Sequence, residues 1–531
     1  MSSHGVISLV VNAHLPFVRD YRNNNEDSFL SVEEEWFFES LSETYLPLLW
    51  VFDRLEADHV PFRLGLSISP LLCQMLNDDF LIRKYLAYSD RQIEFGKNEM
   101  ERTVKQPELY NLAKMYFDLA VERRISFTER YEKNLLKAFD YYQRKGKIEI
   151  LGTSATYAFL PFFCSFSQSI QAQMEVALAC YRQYFGKQPQ GLWLPEFGWT
   201  SELEPYLHSY NFSYTIVDAH GFVFGNPHPT RGSFYPVKTP SGIFIFSRDF
   251  FAAQELGSMT SEFYRNNDRD VGYDLLPNEM KPLISANGIR MRSGFKYWAC
   301  SSGKNSDANY DPPVAFEKAE EHARIFLESQ NTRFEEAGKH MEEVPLCLCA
   351  CNADNFGRFW HEGPKFLESL FRLGAEYRDI QFMTPSEYIC KQDISAIETS
   401  IPEFSSSGFN GYAETWLDSS NDWMYRHLNR AHERMTELAM RFPDDSGLKE
   451  RALNQAAREL LLAQASDWPK LLYRQESTEF ARTQIEDALR NFTTIYESLG
   501  SNYISTEWLT KLERRHNVFP NINYRVFRKK I

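Results

Sequence analysis

A glutamate that closes an apolar run between aromatic rings is the residue of this sequence best placed to do chemistry. Glu196 ends the run GLWLPE, with Trp193 before it and Phe197 and Trp199 after it. On a strand, Leu192 and Leu194 would share its face. A plain exposed loop carboxylate would not keep such apolar company, so a functional carboxylate is expected here. Other polar residues close other runs. Val10, Asn12 and His14 alternate onto one face at the end of the first apolar run. A lone histidine after a strand is ordinarily a satisfied hydrogen-bonding residue, and spacing alone leaves His14 there. Ala350, Asn352 and Asp354 share the face opposite Cys347, Cys349 and Cys351, which points them toward the interior. Arg248 and Asp249 close FSRD, either as an ion pair or as a clamp on sugar hydroxyls.

The elements that must hold these residues are short apolar runs of strand character. They are GVISLVVN (5–12), FRLGLSI (62–68), IEILGT (148–153), GLWLPE (191–196), YTIVD (214–218), IFIFSRD (243–249) and PLCLCACN (345–352). Seven strands separated by helical or irregular connections predict an α/β architecture, one strand short of a closed eight-stranded barrel. Active residues of such barrels sit at the C-terminal strand ends, where the polar residues above fall. Residues 70–145 are too long for one crossover helix and predict a helical insertion. Residues 219–242, rich in Gly, Pro and His, predict a loop over the strand ends, and PEFSSSG (402–408) marks a boundary. From about 412 the pattern is helical almost to the end. The expected organisation is a barrel over 1–400 and a C-terminal helical bundle over 401–531.

With Lys and Arg at 58 against Asp and Glu at 72, the net charge is −14, which argues against nucleic acid and anionic membrane surfaces as partners. An aromatic share of 15% suits a carbohydrate cleft, and suits a large core equally well. The eight cysteines show neither a disulfide framework nor paired CxxC knuckles. Three of them alternate onto one strand face, where small thiols pack against helices. No metal site or cofactor is expected. MSSHGVISLVVNAHLPF has no basic start, and its apolar run is too short for a signal peptide or a span, so a cytoplasmic place is expected.

Several motifs then run in a familiar order: VNAHLPFVR, LGTSATYAFLP, GLWLPEFGWT, FSRD, SGFKYW, NYDPP, CNADNFGRFWHEGPKFL, MTPSEYI, NGYAETWL and LNQAARELLLAQASDW. The order resembles glycoside hydrolase family 57, and within it the 1,4-α-glucan branching enzymes. The resemblance covers nearly the whole chain, to VFPNINYRVFR. It implies an incomplete (β/α)7 barrel with a helical insertion and a C-terminal α-helical domain that walls the glucan cleft. It also implies a metal-independent retaining reaction on an α-1,4-glucan or glycogen, in which a cut chain is held on the enzyme and passed to a 6-hydroxyl. That chemistry needs two carboxyl groups about 5–5.5 Å apart.

The nucleophile of the family maps onto Glu196. The acid/base falls in a pattern resembling Asp-(Ala/Thr)-Glu-Leu-Phe-Gly-His-Trp-Trp-x-Glu-Gly-Pro, which here runs from Asn352 to Pro364. The acid/base position is therefore Asn352, an amide that neither gives nor takes a proton. Asp354, two residues on, is the candidate substitute, about 6.5–7 Å farther along by strand rise, with Glu362 another. Asn12 stands where the family has the first His of His-x-His-x-Pro, Tyr157 where it has a His, and Ser407 where it has a Trp. The Trp and Gly-Tyr-Pro-Gly-Asp segment after the Arg-Asp pair is absent. Mapped to substrate binding are Asn12, His14, Tyr157, Arg248, Asp249, Lys296, Trp360, Trp416, Asp467 and Trp468, with Ser466 retained beside them. Two functions follow: a branching-type transglycosylase, or a catalytically silent α-glucan-binding or scaffolding protein. A metal-dependent barrel deacetylase or mannosidase fits poorly, because no two His or Asp ligands converge in the motifs.

Overall fold

The computed structural model describes residues 5–19, 31–284, 290–300, 308–377 and 379–529, so the first four residues of the N-terminal segment lie outside it. Its strands are β1 (Gly5–Ala13), β2 (Leu64–Ile68), β3 (Ile148–Leu151), β4 (Gly191–Leu192), β5 (Tyr214–Val217), β6 (Val237–Lys238), β7 (Phe244–Ser247), β8 (Leu346–Asn352) and β9 (Ile380–Phe382). Alternation along them splits the apolar residues between two environments. Val6 and Val10 of β1 join Leu346, Leu348 and Ala350 of β8 in the barrel interior. Ile7, Leu9 and Val11 join Cys347 and Cys349 in the larger core against the helices.

The strands run β8-β1-β2-β3 in one parallel sheet and β4-β5-β7 in another. A parallel bridge from Gly152 to Leu192 joins β3 to β4. Between β7 and β8 no ladder forms among the described residues. One backbone–backbone bond, from the Asp249 amide to the Leu348 carbonyl at 2.8 Å, spans that seam. The barrel is thus incomplete, with seven parallel strands. β6 adds to β7 antiparallel, and β9 pairs with the first three residues of β1.

Register brings the candidate residues to one end. Asn12 pairs with Asn352 across β1 and β8, and both side chains follow the inward-facing set of their strands. The fourth strand differs from expectation. GLWLPE does not run extended to its glutamate, because Pro195 opens a tight turn in which Glu196 takes φ 57° and ψ 24°. Glu196 is thereby turned out of the strand, and no longer shares a face with Leu192 and Leu194.

Residues 70–144 fold into the helices Pro70–Leu76, Asp79–Thr103, Pro107–Ile125 and Leu135–Arg144. After the barrel come Trp423–Arg441, Leu448–Ala463, Asp467–Arg474, Thr478–Gly500 and Thr506–Arg515. The Leu448–Ala463 helix is buried along most of its length from Ala452 onward. No helix among the described residues is long and apolar enough to cross a membrane. The stretch at 402–408 is not a free linker. Ser405 and Ser406 are buried, and Ser405 bridges to Trp199.

Candidate active site

Two adjoining cavities, of about 520 and 500 Å³, meet at Glu196. Both are lined by Tyr157, Glu196, Asn352, Lys470 and Arg474. The larger adds Trp193, Phe197, Arg248, Phe409 and Trp416. The other adds Asn12, His14, Trp36, Asp354 and Asp467.

Glu196 is held at three points. Its Oε1 accepts from Lys470 Nζ at 2.9 Å, its Oε2 from Ser407 Oγ at 3.1 Å, and its carbonyl from the Ser407 amide at 2.7 Å. Ser407, standing where the resemblance expects a tryptophan, has become a clamp on the carboxylate. The clamp depends on Gly408, whose φ of +88° suits a residue without Cβ. A Cβ there would also sit 2.7 Å from Thr415 Oγ1. Positive φ at Tyr157, Glu196 and Phe197 adds strained backbone at the same spot, of order 1 kcal/mol per residue.

Asn12 and Tyr157, two departures from the family pattern, bind each other. Asn12 Nδ2 donates to the Tyr157 hydroxyl at 3.0 Å, and Trp193 Nε1 donates to the same oxygen at 3.1 Å. Burial, with the nearby Glu196 charge, pushes the Tyr157 phenol well above its ordinary range, so it stays neutral. Its ring stacks on His14 with centroids 3.8 Å apart. His14 in turn is bracketed by Ser69 Oγ at 2.8 Å on Nδ1 and by Asp467 at 3.0 Å on Nε2. The floor of the cleft is therefore a connected polar layer, not a set of unrelated losses.

Asn352 opens to the cleft and is exposed. Asp354 is not its continuation along a strand. The chain turns after Asn352, and Asp354 is 7% exposed, with Oδ2 accepting from Ser40 Oγ at 2.9 Å and facing the Arg358 guanidinium as an ion pair at 3.9 Å. Burial raises its carboxyl above the ordinary range, while Arg358, Thr44 and Ser40 pull it back. Glu362 is fully buried, accepts the Arg265 amide at 3.0 Å, and lines neither cavity.

Four residues mapped to substrate binding by the motifs also line neither cavity. Asp249 does not pair with Arg248. It caps the helix Phe250–Ser258 through the Ala252 amide and holds Arg333 at 2.7 Å. Lys296 is buried, and burial, with Arg265 beside it, lowers its ammonium pKa. Trp360 packs into the core against Tyr264 and Phe366. Trp468 is buried and donates to the Leu462 carbonyl at 2.7 Å. Arg248 does reach the larger cavity, donating to the Ala350 carbonyl at 3.1 Å, pairing with Asp218 at 3.4 Å and lying over Phe197. Trp416 lines it by an edge, its face stacked on Phe159 at 5.1 Å. Sequence reasoning missed Lys470 and Arg474. Asp467, Lys470 and Arg474 recur at i, i+3 and i+7, so helical spacing was the signal that one face of Asp467–Arg474 would meet the cleft.

Comparison with known proteins agrees with this architecture. Residues 8–268 match the model of glycosyl hydrolase family 57, and residues 427–527 match that of the 1,4-alpha-glucan branching enzyme C-terminal region. The 1,4-alpha-glucan branching enzyme TK1436 of Thermococcus kodakarensis is 25% identical, over 97% of this chain and 77% of that protein. The crystal structure of the alpha-amylase AmyC from Thermotoga maritima superposes with a TM-score of 0.90 at 34% identity, covering 99% of both chains. A GH57-type branching enzyme from Pyrococcus horikoshii gives a TM-score of 0.87 at 24% identity, over 99% of this chain and 97% of that one. With both regions matched and relatives aligned along nearly its full length, the chain belongs to glycosyl hydrolase family 57 and carries a C-terminal region of the 1,4-alpha-glucan branching enzyme type.

Proposed function

We propose that this chain binds an α-1,4-glucan across the two cavities at Glu196 and carries the nucleophilic half of a retaining, branching-type glycosyl transfer. Glu196 attacks the anomeric carbon, and the cut chain passes to a 6-hydroxyl as an α-1,6 branch. Asn352 at the acid/base position slows the proton-transfer half, worth about 10²–10⁴-fold in such reactions. The observation that carries the reading is the setting of Glu196, with both carboxylate oxygens held at the junction of two aromatic-lined cavities. Glycogen as the polymer and the cytoplasm as the compartment belong to the same proposal. The AmyC relative is described as an alpha-amylase, and hydrolysis is the same chemistry with water as acceptor.

A second reading, a silent α-glucan-binding or scaffolding protein, is favoured by one observation. The nearest replacement acid, Asp354, is buried and bonded to Ser40. Incubation with amylose, followed by the iodine spectrum and by NMR of α-1,6 linkages, decides between the two. Turnover above a Glu196→Gln control supports transfer, and its absence together with calorimetric binding of maltoheptaose supports the binder. No binding at millimolar maltoheptaose ends both.

A further inference from the structure

Both oxygens of Glu196 are engaged, and by unlike groups. Oε1 meets the Lys470 ammonium at 2.9 Å, and Oε2 accepts from the neutral Ser407 hydroxyl at 3.1 Å. The side chains of the ion pair are 11% exposed for Glu196 and 25% for Lys470, so water screens it less than a pair on the open surface. Lys470 is also held in place from behind. At the start of its helix, Asp467–Arg474, the Ser466 amide donates to the Tyr157 carbonyl at 3.2 Å, and Trp468 is buried. Asn421 Nδ2 donates to the Pro469 carbonyl at 3.0 Å, one residue before the lysine. The fold itself thus brings the ammonium to the carboxylate.

In a retaining transfer the carboxylate that attacks in the first step must leave in the second. A cation bonded to it stabilises the free anion more than the neutral ester, so it opposes attack and favours departure. A hydroxyl does the same more weakly. The unequal partners therefore separate the two oxygens. We propose that Oε2 is the attacking atom, and that Lys470, bonded to Oε1, speeds release of the glycosyl unit from Glu196. This rests on the reading of Glu196 as nucleophile in a glucan cleft. In the first step Oε2 bonds to C1 as the glycosidic C1–O bond breaks, and the departing oxygen takes its proton from water. In the second, a glucan hydroxyl bonds to C1 and the C1–Oε2 bond breaks. Its electron pair returns to the carboxylate beside Lys470, and the hydroxyl proton passes to water. The second step is where the lysine matters most, because Asn352 takes no proton from the acceptor. Help to the leaving carboxylate then offsets part of the missing base.

The test uses the full chain with α-maltosyl fluoride as donor and azide as acceptor, so that neither departure nor attack needs a proton transfer. Fluoride release times the first step, α-maltosyl azide times the second, and mass spectrometry of the Glu196 peptide counts the maltosyl ester between them. In Lys470→Met the ratio of second-step to first-step rate should fall about 10–100-fold, which is what a hydrogen bond to a charged group is worth. The variant should therefore show a burst of fluoride and a build-up of ester that wild type does not. Lys470→Arg, which keeps the charge, should reverse most of that fall. An unchanged ratio in Lys470→Met, including an equal slowing of both steps as a purely structural role would give, overturns the proposal. So does a Lys470→Arg variant that behaves like Lys470→Met. If wild type releases fluoride no faster than a Glu196→Gln control, the nucleophile reading falls and this proposal with it.

Discussion

Tyr157→Phe removes one oxygen and tests whether the polar layer under the cleft is as connected as its geometry indicates. The hydroxyl accepts from Asn12 Nδ2 at 3.0 Å and from Trp193 Nε1 at 3.1 Å, and the residue is 4% exposed. Phenylalanine keeps the ring, and with it the stack on His14, but leaves two buried donors without an acceptor. An orphaned buried donor costs about 1–3 kcal/mol, so the loss should be about 2–5 kcal/mol. Urea unfolding read by tryptophan fluorescence should show a lower midpoint at unchanged slope. The double variant Asn12→Leu/Tyr157→Phe removes one of the two orphans, so it should lose about 1 kcal/mol less than the sum of the single variants. A loss below about 0.5 kcal/mol for Tyr157→Phe, or a strictly additive cycle, would refute the connected layer.

Two further outcomes follow from residues away from the cleft. Asp249→Ala removes both the cap on the Ala252 amide and the partner of Arg333, so it should cost about 2–4 kcal/mol in unfolding experiments. Its maltoheptaose affinity should match wild type, and a selective loss of binding would instead return Asp249 to the cleft. Burial, with Glu39 nearby, raises the Glu35 carboxyl from 4.5 to about 8. A folded value above the unfolded one means this group's contribution is full below about pH 4.5 and is lost as pH rises through about 8. Glu35→Gln should therefore change stability little at pH 4.5 and raise it increasingly toward pH 8, by up to about 1.4 kcal/mol per pH unit. Thermal melts across that range check it, and a pH-independent difference would contradict it.

The barrel was legible because period-two alternation is a strong signal when one face meets helices and the other meets an interior. β1 and β8 declared both faces this way, including the cysteine side of β8. β6 and β9 were not legible, since two- and three-residue edge strands carry no periodicity. GLWLPE misled for a different reason. Leu-Trp-Leu reads as a strand, but the turn at Pro195 with positive φ at Glu196 is a tertiary choice that alternation cannot encode. The aromatic motif residues Trp360, partly buried against the core, and Trp468, buried within it, both pack on protein, and an aromatic ring at a motif position looks the same in sequence whether it stacks on sugar or on Phe366. Lys470 carries no motif signal of its own, and the helical face that continues from Asp467 is what brings it to the cleft.

The central claim is that Glu196 sits ready in a glucan cleft whose proton-transfer partner has become an amide at position 352. Asn352→Asp, assayed beside wild type on amylose by iodine spectrum and by NMR of α-1,6 linkages, tests it most directly. Branch formation should rise about 10²–10⁴-fold in the variant over wild type. Equal activity in the two proteins would contradict the claim, because another group would then be moving the proton.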